Sequence, residues 1–334
     1  MSIHIPWPEI SQFRNAIKEV QTRASYKGTD LSGAPIYETP ESYPIISFEG
    51  TVKLHGTNSS IVISKDELYC QSKETIITPE NDNAGFAKYV KENEDIFRAM
   101  LHEVLGKTTI SCVYGEWAGR GVNKGCAIHQ LDKAFYIFGL KIISGDTHIW
   151  GNARGLGRGL EDYGIFNVRD FQTWNMEIDF NHPELSQNRL TDITTEVGNL
   201  CPIGKARGVE GIGEGVVWTG TWGDKIFRFK VKDPRHSVSK VKTLAPVDVE
   251  RIDSINEFVE YAVTQNRFDQ GISAVFGDSP INIKLMGDVL RWVSNDINKE
   301  ESDVLASNNL TMKDVGKALS DKARGMFMVL WNAV

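Results

Sequence analysis

The alternation of hydrophobic and polar residues predicts two regions of different character along this chain. From about residue 48 to 232, short runs rich in β-branched and aromatic residues predict mainly strands, for example at 45–52 and 59–64. An amphipathic stretch at 84–105 predicts a helix inserted among these strands. The first two thirds of the chain are therefore expected to mix strands with a few helices.

The pattern changes after residue 240. The segment LAPVD at 244–248 predicts a linker, and helix-period patterns follow at 255–263, 283–297 and 312–330. The sequence therefore predicts an α+β protein with two domains, a mixed domain at 1–243 and a small all-α domain at 244–334.

Composition limits the class of protein. With 334 residues and 41% hydrophobic content, the chain can form the cores of two ordinary domains. Its four cysteines are widely spaced without a C-x-x-C pair, so neither a zinc site nor a disulfide framework is indicated. No targeting segment and no run of about 18 apolar residues is recognisable. We therefore expect a protein without a membrane partner, located in the cytoplasm, or in the host cytoplasm if it is viral.

The charge distribution is uneven. A net charge of −7 argues against a nucleic-acid partner, yet residues 221–243 hold seven basic and only two acidic side chains. Such a run is often no more than a solvated surface. Here Lys230 and Lys232 alternate with Phe229 and Val231, so both lysines should project from one face of a strand while the apolar residues enter the core.

The chemically most informative stretch is KLHGTN at 53–58, between two predicted strands. A lysine in such a connection can act as a covalent nucleophile when desolvation or neighbouring cations lower its pKa. Gly56 is expected to let the backbone come close to a ligand. Because Lys-x-(Asp/His)-Gly should occur by chance in roughly one chain in ten of this length, the other motifs of the chain have to decide its meaning.

Four further segments follow in order: YGEWAG at 114–119, FYIF at 135–138, GEGVV at 213–217 and FKVK at 229–232. With a lysine first and a Lys-x-Lys last, they resemble the motifs of the covalent lysyl-nucleotidyltransferase superfamily. The closer resemblance is to the phage nick-sealing RNA ligases, related to kinetoplastid RNA-editing ligases, because His55 stands where DNA ligases and capping enzymes usually have aspartate. It covers most of the chain and is weakest at about 145–213.

This resemblance implies an ATP-dependent RNA ligase that joins 3′-OH and 5′-phosphate ends, through a covalent lysyl-AMP and an RNA-adenylate. Lys53 would receive AMP from ATP, and Lys230 and Lys232 would neutralise the α-phosphate. Glu214 would be the carboxylate associated with Mg²⁺ or Mn²⁺, acting through metal-bound water. The implied partner is RNA, at nicks in a duplex or at breaks in structured RNA, and the protein is expected to be a monomer.

The resemblance also assigns the remaining contacts. Glu116 would hold the ribose hydroxyls and Phe138 would stack on adenine, although residue type alone favours core packing for Phe138. Asn58 and Lys73 match positions associated with the 5′-phosphate of the RNA. The other implied nucleotide-binding residues lie in the turn after the lysine: His55, Gly56 and Thr57.

The chain departs from the family pattern at three positions. Lys73 stands where relatives often have arginine, which keeps the charge but loses bidentate phosphate recognition. Val52 replaces a glutamate before the nucleophile, and Gly139 replaces an aspartate after the stacking phenylalanine. These positions concern the RNA phosphate, the support of the site and adenine recognition.

Two other functions are compatible with parts of the sequence. A DNA ligase or a capping guanylyltransferase would share the lysyl-nucleotide step, but their usual C-terminal β-barrel is not predicted. An inactive module that binds nicked RNA would not require five catalytic-type residues: Lys53, Glu116, Glu214, Lys230 and Lys232. The resemblance thus implies a nucleotidyltransferase domain of antiparallel sheets and helices at 1–243, and an RNA-engaging domain at 244–334. Truncation after about residue 244 is expected to impair sealing while protein adenylation stays detectable.

Overall fold

A computed structural model describes residues 2–64, 66–82, 84–102, 110–233, 235, 255–277, 279–308 and 310–332. Within these ranges the chain forms strands, α-helices and short 3-10 helices. The predicted linker at 244–248 and two lysines of the basic run, Lys240 and Lys242, lie outside them.

The described strands and helices follow one another as an α+β protein. The strands are β1 (Ser11–Gln12), β2 (Tyr26–Thr29), β3 (Pro35–Tyr37), β4 (Ile45–Lys53), β5 (Thr57–Ile63), β6 (Leu68–Ser72), β7 (Ile76–Ile77), β8 (Ile110–Ala118), β9 (Ala134–Ser144), β10 (Thr147–Gly151), β11 (Ile165–Asn167), β12 (Thr173–Asp179), β13 (Gly215–Trp222) and β14 (Lys225–Lys232). The α-helices are α1 (Phe13–Ser25), α2 (Phe86–Glu92), α3 (Glu94–His102), α4 (Gln187–Asn199), α5 (Pro202–Ala206), α6 (Ile255–Ala262), α7 (Gln265–Phe276), α8 (Met286–Glu300), α9 (Ser302–Ser307) and α10 (Met312–Asn332). The 3-10 helices are Ala127–Gln130, Glu161–Tyr163, Val168–Asp170, Pro183–Ser186 and Ile283–Leu285.

The chain divides into two compact units, of which the first is built on a seven-stranded sheet. This seven-strand unit comprises Met1–Glu9, Thr51–Thr173 and Asn199–Gly213. Its strands lie in the order β10-β9-β8-β5-β6-β7, with β11 beside β9. The main core joins residues of α2 and α3, such as Phe86 and Phe97, to Trp117 and Phe135 of the sheet. A second, smaller cluster forms around Ile5, Val62, Cys112 and Tyr114.

The second unit is built on a five-stranded sheet and comprises Ile10–Gly50, Trp174–Gly198 and Glu214–Val334. In this five-strand unit the strand order is β1-β14-β13-β4-β12, and β2 and β3 form a separate hairpin. Helix α1 packs on β14, where the rings of Phe13 and Phe229 are 4.8 Å apart. The C-terminal helices have apolar cores of their own, one around Phe258 and Ile297 and one around Phe327.

The predicted α+β class is confirmed, with antiparallel sheets, inserted helices and a helical C-terminal region. Residues 103–105 of the predicted helix at 84–105 lie outside the described residues, and the described part forms two helices, α2 and α3. Asn93 ends α2, and its side-chain Nδ2 donates to the carbonyl of Tyr89. The carbonyl of Asn93 accepts from the N–H of Ile96 in the first turn of α3, which begins at Glu94. Helix α7 was not predicted from the apolar pattern.

None of the helices within the described ranges is long and apolar enough to cross a membrane.

The expected boundary between 243 and 244 falls outside the described residues and stays a prediction. Of the described residues after it, all belong to the same unit as β13 and β14.

Candidate active site

The predicted site residues divide between the two units. The nucleophile and its turn belong to the seven-strand unit, while Glu214, Lys230 and Lys232 belong to the five-strand unit. Lys53 is the last residue of β4 and is half-buried, and the next residue, Leu54, is buried. Burial of the residues on either side of Lys53 fixes the backbone from which its amine projects.

The turn after Lys53 is held by hydrogen bonds to its backbone. The N–H of Gly56 donates to Oε1 of Glu116 at 3.0 Å, and Nδ2 of Asn123 donates to the carbonyl oxygen of Gly56 at 2.7 Å. One of the predicted nucleotide contacts, Glu116, is therefore linked directly to the turn that carries the nucleophile.

A glycine at position 56 is required by the chain itself. A Cβ at this position would lie 2.4 Å from the carbonyl oxygen of Trp117 and 2.8 Å from Cβ of Ala118, both closer than real contacts allow. The sequence suggested that Gly56 admits a ligand, but its close neighbour is β8 of the same protein. The nucleotide contact of Gly56 stays a prediction.

Strand register aligns several polar and aromatic residues across the sheet. Asn58 is paired with Glu116, Glu116 with Tyr136, and Tyr136 with Phe166. Directly opposed residues project to the same face of a sheet, so these four form one row, which we call the transverse row. Ser59 is paired with Ser72, the last residue of β6. Asn58 directly precedes Ser59 and Lys73 directly follows Ser72, so the two residues matched to the RNA 5′-phosphate each adjoin this last pair.

Sequence reasoning missed the cation that completes the transverse row. Nη1 of Arg207 donates to the hydroxyl of Tyr136, and its guanidinium lies 4.3 Å from the ring centroid of Phe166. Burial raises the pKa of Tyr136 to about 12, against the opposing charge of Arg207, so the hydroxyl remains protonated at neutral pH. No spacing signal in the sequence connects residue 207 with 136, since only the fold brings them together.

Phe138 occupies an irregular position in β9. Tyr114 pairs with Gly139 while Gly115 pairs with Ile137, which leaves Phe138 as the extra residue of a β-bulge. Such bulges redirect a side chain and are frequent beside active sites. Phe138 is half-buried and packs on the cluster around Tyr114, so core packing accounts for part of its surface.

In the five-strand unit, a hairpin brings two predicted residues into contact. Glu214 directly precedes β13 and is only 4% exposed, and Gly215 is paired with Lys232 of β14. Nζ of Lys232 lies 3.3 Å from Oε1 of Glu214. The N–H of Asp233 also donates to the carbonyl oxygen of Glu214 at 2.9 Å. Strand pairing therefore holds this carboxylate and this ammonium together.

The predicted alternation along β14 is confirmed, because Phe229 and Val231 are buried while Lys230 and Lys232 are half-buried on the other face. Nζ of Lys230 lies 2.7 Å from Oε1 of Glu300, the last residue of α8. Nε2 of Gln12 donates to the other oxygen of Glu300 at 2.9 Å. The sequence did not predict that Lys230 pairs with a carboxylate of the helical region.

Comparison with known families decides what this chain is. A family model described as RNA ligase matches residues 46–232, more than half of the chain. The chain belongs to the RNA ligase family. The match contains every residue of the RNA ligase motifs from Lys53 to Lys232.

Solved RNA ligase structures from Naegleria gruberi are also similar to this RNA ligase family member. A variant with AMP and Mn is 16% identical with a TM-score of 0.44, and the structure with PPi gives the same values. A second variant, with ATP and Mn, is 16% identical with a TM-score of 0.45. Each match covers 69% of this chain and 56% of the Naegleria chain. The chain thus spans little more than half the length of these proteins.

The RNA ligase family implies a divalent metal ion. Among the described residues, no group of three or more histidine, cysteine, aspartate or glutamate side chains could enclose one. The buried carboxylate of Glu214 fits an ion that takes most of its ligands from phosphate oxygens and water. Magnesium is commonly bound in this way, through one or two carboxylates plus substrate phosphates.

Glu300 gives this RNA ligase family member a defined acid sensitivity. Burial alone would raise the pKa of Glu300, but the charge and hydrogen bond of Lys230, the hydrogen bond from Gln12 and the charge of Lys232 lower it to about 2. A glutamate whose pKa is lowered in the folded state stabilises the fold at pH values above the ordinary glutamate pKa. This contribution is lost as the pH falls toward 2. It amounts to about 3 kcal/mol at neutral pH.

We therefore expect Glu300→Gln to flatten the loss of stability between pH 5 and pH 2.5. The measurement is the unfolding free energy from urea titrations across this pH range. Glu196→Gln, which removes an exposed carboxylate from α4 of the same unit, should leave the slope unchanged. An unchanged slope for Glu300→Gln would show that its carboxylate is not held by Lys230 in solution.

Proposed function

We propose that this protein is an ATP-dependent RNA ligase that joins 3′-OH and 5′-phosphate RNA ends through AMP bound covalently to Lys53. The observation that carries the proposal is the RNA ligase family match over 46–232, which spans all the motif residues. The hydrogen bond between Gly56 and Glu116 supports it further, because it couples the turn of the nucleophile to a predicted nucleotide contact.

In the first step, Nζ of Lys53 loses a proton and attacks the α-phosphorus of ATP. A P–N bond forms, the bond to the β-phosphate oxygen breaks, and pyrophosphate leaves. The RNA 5′-phosphate then displaces the lysine and becomes an RNA-adenylate. Finally the 3′-hydroxyl attacks this activated phosphate, a phosphodiester forms and AMP leaves. Adenylation is needed because a free phosphate has no adequate leaving group.

The remaining residues bind and orient the reactants. Glu116 accepts hydrogen bonds from the ribose hydroxyls, Phe138 stacks on the base, and His55, Gly56 and Thr57 contact the phosphates. Lys230 and Lys232 neutralise the charge that develops on the α-phosphate, which is the main requirement of phosphoryl transfer. Asn58 and Lys73, which adjoin the paired residues Ser59 and Ser72, hold the RNA 5′-phosphate. Glu214 would hold Mg²⁺ or Mn²⁺, whose charge offsets that of the phosphates.

The finer assignment is to the nick-sealing RNA ligases of phages, with a nicked duplex or broken structured RNA as substrate. His55 in the nucleophile turn supports this assignment. We propose that residues 244–334 contribute to RNA engagement, and that the protein acts as a monomer on RNA repair substrates in the cytoplasm.

The experiment that tests the proposed function uses ATP labelled at the α- or the γ-phosphate. With a divalent metal, α-label should remain on the protein and γ-label should not. Mild acid should release the AMP, because phosphoramides are acid-labile. A nicked RNA duplex with a 5′-phosphate should then be sealed, whereas a matched nick with a 5′-hydroxyl should not. Retention of neither label would contradict the proposal. In a parallel reaction with α-labelled GTP, retention of label from GTP but not from ATP would favour a capping enzyme.

Two lysines of the basic run are expected to have different roles, Lys232 in the chemistry of adenylation and Lys240 in RNA binding. Lys232→Ala should reduce adduct formation about 100-fold, because it removes a cation proposed to act on the α-phosphate. Lys240→Ala should leave adenylation intact and reduce the salt dependence of nicked-RNA binding by about one phosphate contact. Adenylation rates and RNA binding over a salt series are the measurements. If both variants lose only RNA affinity, the role assigned to Lys232 is wrong.

A further inference from the structure

The segment at 2–9 lies against the same cluster of the seven-strand unit that contains Phe138. Its path is set by buried hydrogen bonds. The N–H of Ile5 donates to Oε1 of Gln71 at 2.9 Å, and Tyr114 donates its hydroxyl to the carbonyl of Ile5 at 3.0 Å. Gln71 is fully buried and also donates to that carbonyl, so both the oxygen and the nitrogen of its amide have partners in this segment.

These bonds determine where Trp7 lies. Ile5 is buried and Trp7 half-buried, whereas Pro6 and Pro8 are exposed, so the two large apolar side chains share one side of the segment. The indole of Trp7 makes an edge contact with the ring of Phe138, with centroids 4.8 Å apart. It also contacts Tyr114 at 4.9 Å and Trp150 at 5.1 Å.

Gly139 leaves the space that Trp7 fills. A Cβ at position 139 would lie 2.3 Å from Cζ3 and 2.6 Å from Cη2 of Trp7, so no other residue fits while the indole is in place. This is the position at which the resembled family has aspartate. The departure at Gly139 therefore has a structural counterpart in Trp7.

The backbone of Phe138 is restrained as well. Nη1 of Arg169 donates to the carbonyl oxygen of Phe138 at 3.0 Å. Arg169 thus holds the main chain of Phe138 in the bulge. Trp7 is the nearest aromatic contact of the Phe138 side chain. A bulged residue has no ladder neighbours to set its direction, so side-chain packing must do so.

We infer that Trp7 and Gly139 form a matched pair that orients Phe138 for stacking on the base of the nucleotide. Trp7 is a positioning residue that acts through Phe138 and does not touch the reacting atoms. This inference rests on the proposed function, because it takes Phe138 as the base-stacking residue. It adds that base affinity in this protein depends on residue 7, outside the sequence motifs.

The test is a double-mutant cycle at positions 7 and 139. Trp7→Ala should raise the KM for ATP in protein adenylation about fivefold to tenfold, the size of one aromatic pair, with little change in the maximal rate. Gly139→Ala should have a similar effect in the wild-type background, because its Cβ displaces the indole. In the Trp7→Ala background, Gly139→Ala should have little further effect. Trp7→Phe should restore most of the affinity.

The matched control is Trp150→Ala, which removes another half-buried tryptophan, one that contacts Trp7 and Tyr114. It should lower the melting temperature without changing the KM for ATP. An unchanged KM in Trp7→Ala would overturn the inference, as would an equal rise in Trp150→Ala, or additive effects at positions 7 and 139. If Trp7→Ala does not fold, Gly139→Ala decides by the same criterion, with Trp7→Phe expected to keep most of the wild-type affinity.

Equilibrium binding of ATP to the Lys53→Ala protein separates this inference from the proposed function. Adding Trp7→Ala to that protein should weaken ATP binding about fivefold to tenfold. If the wild type binds ATP but forms no adduct, the covalent mechanism fails while the inference stands on the binding data. If the wild type forms the adduct and Trp7→Ala binds ATP equally well, only the inference fails. Absence of ATP binding by the Lys53→Ala and wild-type proteins would overturn both.

Discussion

Lys53→Ala is expected to reduce protein adenylation by at least about 10⁴-fold, to the background of the assay. The reason is chemical, since a phosphoramide cannot form without the amine. The rate is measured as acid-labile α-label retained on the protein. Because Lys53 is half-buried at the end of β4, and its Cβ would remain as the methyl group of alanine, folding should be preserved.

A matched control for this loss is Lys91→Ala, which removes an exposed lysine on α2 in the same unit and should adenylate normally. Lys73→Ala distinguishes the steps, because it should accept AMP and then transfer it poorly to RNA. Persistent labelling of Lys53→Ala, with the adduct on another residue, would refute the assignment of the nucleophile.

Glu301→Ala is expected to destabilise the five-strand unit by about 3–5 kcal/mol. The carboxylate of Glu301 is completely buried and binds three groups. Arg14 Nη2 lies 3.1 Å and Arg267 Nη2 3.0 Å from its oxygens, and the hydroxyl of Tyr261 donates at 2.7 Å. Removing it leaves two buried guanidinium groups short of a counter-charge, which is the costly way to break a buried ion pair.

Urea unfolding with tryptophan fluorescence measures this loss. The matched control is Asp321→Ala, which breaks an exposed pair with Arg324 on α10 and should cost less than about 1 kcal/mol. A cost for Glu301→Ala as small as that of Asp321→Ala would show that the network around Arg14 and Arg267 does not form.

The same contacts revise the expected result of truncation. From the sequence alone, removal of residues after about 244 should leave adenylation detectable. In the structure that deletion would also remove the Glu300 partner of Lys230, and the Glu301 and Asp303 partners of Arg14. The truncated protein is therefore expected to lose stability in the five-strand unit. Glu300→Gln in the full chain removes the partner of Lys230 without this deletion, so it is the cleaner test of that ion pair.

The sequence predicted those elements whose side chains repeat with a simple period. The strand β14 is an example, because the alternation of Phe229 and Val231 with lysines indicates burial of one face whatever packs against it. Helix α7 was missed because the buried residue at its start is Arg267, whose charge interrupts the apolar period. Its guanidinium is satisfied by Asp296 and Glu301, residues that no local window could connect with it.

The sequence by itself determined the family motifs, their order and the α+β class, because these depend on residue type and local spacing. Only the tertiary structure decided which groups meet across long separations: Glu116 with the backbone of Gly56, Arg207 with Tyr136, and Trp7 with Phe138. Strand register and buried hydrogen bonds bring these groups together, and neither leaves a periodic signal in the chain. The glycine at position 139 can therefore be explained only from the tertiary structure, which places the indole of Trp7 in the space beside it.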